Sequence, residues 1–238
     1  MQREVSDLKQ LSLAITDGAI NFLWSFIQGS IMNPDTWNRL LNSYGFCERH
    51  AWIYLSIEMS FREQYLLGPT ILYQALIERA LDALSASRIS KFAMARQLRN
   101  ADACLLCALH IDDASAGASP PIRLDRGRDS GPLLNWASAL EPLWRSYICE
   151  VCNDRDGATE RGPTRCRRHL LIDIQTRNPV DFLRQRAVLR DLHERVTRYQ
   201  ESFLAGSLEA SDQDCASLVA AIGWCSGWHP LLDLMRSA

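Results

Sequence analysis

The sequence predicts a mainly α-helical chain, and three observations carry that prediction. Apolar residues recur at spacings of three and four along most of the 238 positions. Capping residues punctuate those stretches, as at Asn33-Pro34-Asp35 and Asn178-Pro179. No alternating run of five or more residues marks a strand.

Val5 to about Gln28 places Leu8, Leu11, Ile15, Ile20, Leu23, Trp24 and Ile27 at helical spacing, with Gly18 as a possible break. Asn33 then caps a short helix, Pro34 fits its first turn, and Gly45 closes it. A third helix is predicted from about Glu48 to Leu66, and Gly68-Pro69 restarts the chain. The stripe from Ile71 to Leu84 predicts a fourth, and Ile89 to Arg99 a more basic fifth. The Gly/Pro-rich stretch at 116–132 reads as a loop or linker between an N-terminal helical region, 1–115, and a C-terminal one, 133–238.

Leu133 to Ile148 is apolar enough for a helix that Pro142 should interrupt. His169 to Ile174 continues as a helix. Asn178-Pro179 is expected to cap the longest one, to about Leu204, whose Phe182, Leu189, Leu192, Val196, Tyr199 and Phe203 form a seam for partner helices within the chain or in a homodimer. A final helix is expected from Asp212 to Trp224.

Composition narrows the function. With 47% apolar residues the chain can bury a substantial core, and a net charge of −2 argues against a dedicated nucleic-acid binder, though not against a local basic patch. Nearly all positive charge is arginine, Lys9 and Lys91 being the only lysines, which reads as compositional bias. No window of 18 apolar residues predicts a membrane span. The acidic N-terminus lacks an export layout, so a cytoplasmic, reducing setting is expected for the eight cysteines.

In that setting paired cysteines read as metal ligands. Cys149-Glu150-Val151-Cys152 and Cys166-Arg167-Arg168-His169 flank thirteen polar residues that cannot form a core of their own. Cys47-Glu48-Arg49-His50 and Cys104-Leu105-Leu106-Cys107 supply a second complement. Two Zn²⁺ ions per chain are expected, each in a Cys3His site that staples the helices. One pairing joins Cys47 and His50 with Cys104 and Cys107, leaving Cys149, Cys152, Cys166 and His169 together. The other makes a four-cysteine site of Cys104, Cys107, Cys149 and Cys152, with Cys47, His50, Cys166 and His169 as its companion. The shared plan of Cys47–Ile53 and Cys166–Ile172 reads as a degenerate internal repeat.

Gly45-Phe46-Cys47-Glu48-Arg49-His50, followed by Leu67-Gly68-Pro69-Thr70-Ile71-Leu72-Tyr73, resembles an uncharacterised prokaryotic family with repeated CPxC and GFCxxH segments. The resemblance implies helices and metal ligands and no activity. The chain departs from that pattern: no cysteine precedes Cys47, and both CxxC pairs lack the proline.

A closed four-ligand set has no open position for water, so structural zinc in a binding or regulatory module is the leading expectation. Arg161, Arg165, Arg167 and Arg168 would offer a surface to a protein partner or nucleic acid. The rival is a zinc-dependent enzyme acting on a small molecule in a biosynthetic pathway, with Glu48 or Glu150 delivering a proton. Cys225 and His229, four apart, are a further thiol–base candidate, outweighed by the reading of Cys225 as a buried core residue. The residues do not decide whether the protein is an enzyme, and no catalytic residue is assigned.

Overall fold

Every regular element is helical in the residues that the structure, a computed structural model, describes: 13–29, 31, 33–62, 65–85, 91–113, 119–153, 164–204 and 209–237. The chain falls into two compact units. One comprises Met1–Gly68, Asp102–Ala139 and His229–Ala238, the other Pro69–Ala101 and Leu140–Trp228. Neither is a continuous half of the chain, so the 1–115 and 133–238 division and its linker at 116–132 do not describe the packing.

In the first unit α1 (Asp17–Ile27) starts at Thr16, whose hydroxyl accepts from the Ala19 amide at 3.2 Å. Gly18 therefore lies in the first turn and breaks nothing, while Leu8 and Leu11 fall outside the described residues. Asn33 caps α2 (Pro34–Asn42) as expected, its Oδ1 accepting from the Asp35 and Thr36 amides. The exit is less ordinary. Tyr44 takes the left-handed conformation ahead of Gly45, with φ of 55° and 80°, and the Gly45 amide reaches back to Leu40 O at 2.7 Å. This tight turn aims Cys47 at the start of α3 (Glu48–Arg62).

Helix α3 is the axis of this unit. Ala51 to Met59 are buried without interruption, and Tyr54 joins Phe26 and Phe46 in an edge-on aromatic cluster with centroids 5.1–5.8 Å apart. The stretch expected to be a linker instead carries α7 (Pro121–Arg128), after the four-residue α6 (Leu105–Ala108). Proline is accommodated in the first turn of α7, and Gly127 sits where a Cβ would stand 2.5 Å from Ile20 Cγ2. The glycine that looked like loop composition is a packing site against α1. α8 (Gly131–Ala139) and α14 (His229–Ser237) complete the unit, the latter lying beyond the helix expected to be the last.

The second unit holds α4 (Leu67–Ser85, from Pro69 onward), α5 (Lys91–Leu98), α9 (Glu141–Trp144), α10 (Glu150–Asn153), α11 (Arg167–Thr176), α12 (Phe182–Glu201) and α13 (Asp212–Ser226). Pro142 ends the preceding helix and sits in the first turn of α9, as its missing N–H requires. Asp181, not Asn178, caps α12 by accepting from the Arg184 amide, and Asn178 Nδ2 donates to Asp173 instead. Leu189, Leu192, Val196 and Tyr199 are buried, and their helix packs on α13 in the same unit. α13 is buried nearly all round. Gly223 admits the Trp228 ring, which stacks on Trp144 at 5.8 Å.

Candidate metal centres

Each unit contains one Cys3His cluster, and both are built the same way. A CxxC pair rides on a helix of four residues, while a CxxH pair brackets the first turn of a longer helix. Such a turn points residues three apart to one side. In the first unit Cys104 precedes α6, Cys107 lies in it, and Cys47 and His50 open α3. In the second, Cys149 precedes α10, Cys152 lies in it, and Cys166 and His169 open α11. Within each set one ligand atom per residue lies within 4.8 Å of all the others. The grouping of Cys104 and Cys107 with Cys149 and Cys152 is not the one formed, because each CxxC folds beside the CxxH of its own unit.

The first set centres on His50 Nδ1, which lies 3.2 Å from Cys47 Sγ, 3.5 Å from Cys104 Sγ and 3.3 Å from Cys107 Sγ, with Cys47 and Cys107 3.8 Å apart. The second repeats this: His169 Nδ1 is 3.2 Å from Cys149, 3.4 Å from Cys152 and 3.2 Å from Cys166, and Cys152 and Cys166 are 3.9 Å apart. Three cysteines of the second set are buried, whereas Cys107 leaves the first set open to solvent on one side.

Thiols this close divide their protons unequally. The hydrogen bond from Cys47 holds Cys104 down to about 3 although burial opposes it, and Cys47 is raised in return. Hydrogen bonds from Cys152 and Cys166 likewise hold Cys149 far below its ordinary value, while Cys152 is raised and Cys166 pushed up to about 12. Neighbouring thiolates repel, so ionising one thiol of a set opposes ionising the others. A dication is what would let all three ionise.

Sequence reasoning missed the groups that orient the first set. His50 Nε2 lies 3.0 Å from Asp112 Oδ2, and Arg49 also pairs with that carboxylate. Thr16 donates to Asp112 Oδ1 at 3.1 Å, and Arg49 Nη2 to Ala14 O at 2.6 Å. A carboxylate on the far ring nitrogen fixes the tautomer that leaves Nδ1 free to ligate. The available signal was Asp112-Asp113 shortly after Cys107, but only the fold shows which aspartate turns inward. His110, three residues beyond Cys107, has its side chain 82% exposed and lies 3.9 Å from Asp113 Oδ2.

Two of the four arginines expected to form a patch are consumed by the fold, while Arg168 is exposed. Arg165 pairs with Glu150 and, at 2.8 Å, with Asp173. Arg167 is buried, donating to Cys225 O at 2.8 Å, Leu98 O at 2.9 Å and Asn100 Oδ1 at 2.6 Å. Arg161 falls outside the described residues. Glu48 accepts from the backbone and ring of His229, at 3.1 and 2.6 Å. Cys225 is fully buried, and burial pushes its thiol up to about 12, which does not suit a nucleophile.

No family model, no curated protein and no solved structure matches this chain. No helix among the described residues is long and apolar enough to cross a membrane.

Proposed function

We propose that the two clusters bind one zinc ion each, that both ions are structural, and that the protein is a cytoplasmic binding or regulatory module. The observation that carries this reading is the ligand spacing. Sulfur at about 2.3 Å and nitrogen at about 2.0–2.1 Å from a tetrahedral ion stand about 3.8 Å apart sulfur to sulfur and about 3.5 Å sulfur to nitrogen. Cys47–Cys107 and Cys152–Cys166 stand 3.8 and 3.9 Å apart, and the sulfur–nitrogen pairs 3.2–3.5 Å.

Cys47, His50, Cys104 and Cys107 would hold one ion, and Cys149, Cys152, Cys166 and His169 the other. Each bound ion would tie a short helix to a long one where little apolar surface is available. Four protein ligands leave no position for water. The acids beside the ligands are engaged by partners, Glu48 by His229 and Glu150 by Arg165, which favours a structural over a catalytic ion. The repeated CxxC and CxxH plan also agrees with membership of the uncharacterised prokaryotic family that the motifs resemble.

Metal analysis of protein purified without added zinc tests the reading. Two zinc ions per chain are expected, with cluster thiols unreactive until a chelator is added. Cys152→Ser should lower the melting temperature and leave one zinc. Fewer than one zinc per chain, with thiols free to react, would overturn it.

A further inference from the structure

The second unit carries a groove of about 620 Å³ beside α5, lined by Arg79, Arg96, Gln97, Arg99 and Asn100 together with two alanines. Its polar lining is three guanidinium groups and two amides, with no carboxylate. Among the described residues neither Arg96 nor Arg99 has an acidic side chain within ion-pair distance. The local sequence agrees, since residues 83–101 contain Arg88, Lys91, Arg96 and Arg99 and no acid. Asp82 and Asp102 flank the stretch, so the positive charge is concentrated between them.

Helical geometry adds an aromatic to that field. Phe92 and Arg96 stand at i and i+4, so they share one face of α5, and Arg99 follows directly after its last residue, Leu98. Along the helix axis Phe92 and Arg96 stand about 6 Å apart. Phe92 is 78% exposed, an apolar ring turned to solvent next to the cationic row.

The groove is also held in shape. Arg79 Nη2 donates to Gln97 O at 3.3 Å, and Arg167 donates to Leu98 O and Asn100 Oδ1. Because Arg167 follows Cys166 directly, the second metal cluster and the end of α5 share one anchor. Asn100 accepts from Arg167 through its oxygen, which leaves its amide nitrogen as a donor.

We propose that this groove binds the phosphate groups of a nucleotide, with Phe92 as the face on which the base rests. Guanidinium forks match phosphate oxygens in pairs. An exposed aromatic a turn away supplies stacking, which acidic peptides do not need. The volume lies within the roughly 300–1,000 Å³ of small-ligand sites. The inference rests on the reading of the protein as a binding module and names what it binds. The nucleotide is free or part of a single strand, and the phosphate and base are common to both.

The test uses the full-length, zinc-loaded protein and titrates inorganic pyrophosphate, a nucleoside diphosphate and a short labelled single-stranded RNA. Arg96→Gln with Arg99→Gln should weaken all three, by roughly tenfold for each guanidinium removed. Phe92→Ala should weaken the nucleotide and RNA by roughly tenfold and leave pyrophosphate unchanged. Tighter RNA binding with a steep salt dependence would identify a strand as the source, and equal affinity for the diphosphate a free nucleotide. The proposal is overturned if no probe binds, if the double variant binds as well as wild type, or if poly-glutamate competes equally while Phe92→Ala has no effect. Zinc content is measured on the same samples. Two ions per chain without ligand binding refute the groove alone, whereas missing zinc refutes the function it rests on.

Discussion

Replacing Arg167 by alanine is the most demanding test of the architecture. Its side chain is buried and donates to two backbone carbonyls, those of Leu98 and Cys225, and to the Asn100 amide oxygen. It thereby ties the ends of α5 and α13 to the first residue of α11. Hydrogen bonds from a charged donor contribute about 1.5–3 kcal/mol each, and the three together are offset by the cost of burying the guanidinium. Truncation leaves the buried acceptors without their donor, so a loss on the order of 3–5 kcal/mol is expected. For a protein of this size that corresponds to a fall in melting temperature on the order of 10 °C. Arg167→Lys keeps the charge but lacks the planar fork, and should recover less than half of the loss. Arg96→Ala, on the exposed face of α5, serves as the surface control and should stay within about 0.5 kcal/mol of wild type. Urea denaturation with zinc content measured alongside gives the answer. An Arg167→Ala protein within about 1 kcal/mol of wild type, with both metals retained, would refute the reasoning.

Three further outcomes follow from the same geometry. Burial holds the Glu58 carboxyl protonated up to about 8, against a weaker pull from Arg62. The native state then binds this proton more tightly than the unfolded chain, so the contribution of Glu58 to stability is fullest below about pH 4.5 and is lost as pH rises through about 8. Glu58→Gln should flatten that slope and gain a few kcal/mol at pH 8, read by urea melts across the range; an unchanged slope would contradict it. Gly223→Ala puts a methyl 2.4 Å from the Trp228 ring and should cost about 1–3 kcal/mol, with a change in tryptophan fluorescence. Asp112→Asn should weaken metal binding at the first cluster about 10–100-fold and leave the second unchanged, as chelator competition would show.

Local chemistry made much of this legible. The Asn33-Pro34 start, the interruption at Pro142 and the helical class each follow from forces acting within a few residues. Where local signals competed, sequence reasoning chose wrongly. Gly18 and Gly127 look like breaks, yet each sits inside a helix, and Gly127 is needed against Ile20. Asn178 looks like a cap, yet Asp173 engages it and Asp181 caps α12.

The ligand inventory of six cysteines and two histidines, and their grouping in pairs, are properties of the sequence alone, because thiolate and imidazole chemistry and the three-residue step of a helical turn are local facts. Which pairs meet was settled by the tertiary structure, since Cys47 and Cys104 are separated by more than fifty residues and meet only because both segments fold into one unit. The same holds for the arginines. Their number is compositional, but whether a guanidinium is spent inside, as at Arg167, or left facing water, as at Arg96, depends on which carbonyls the fold brings within its reach.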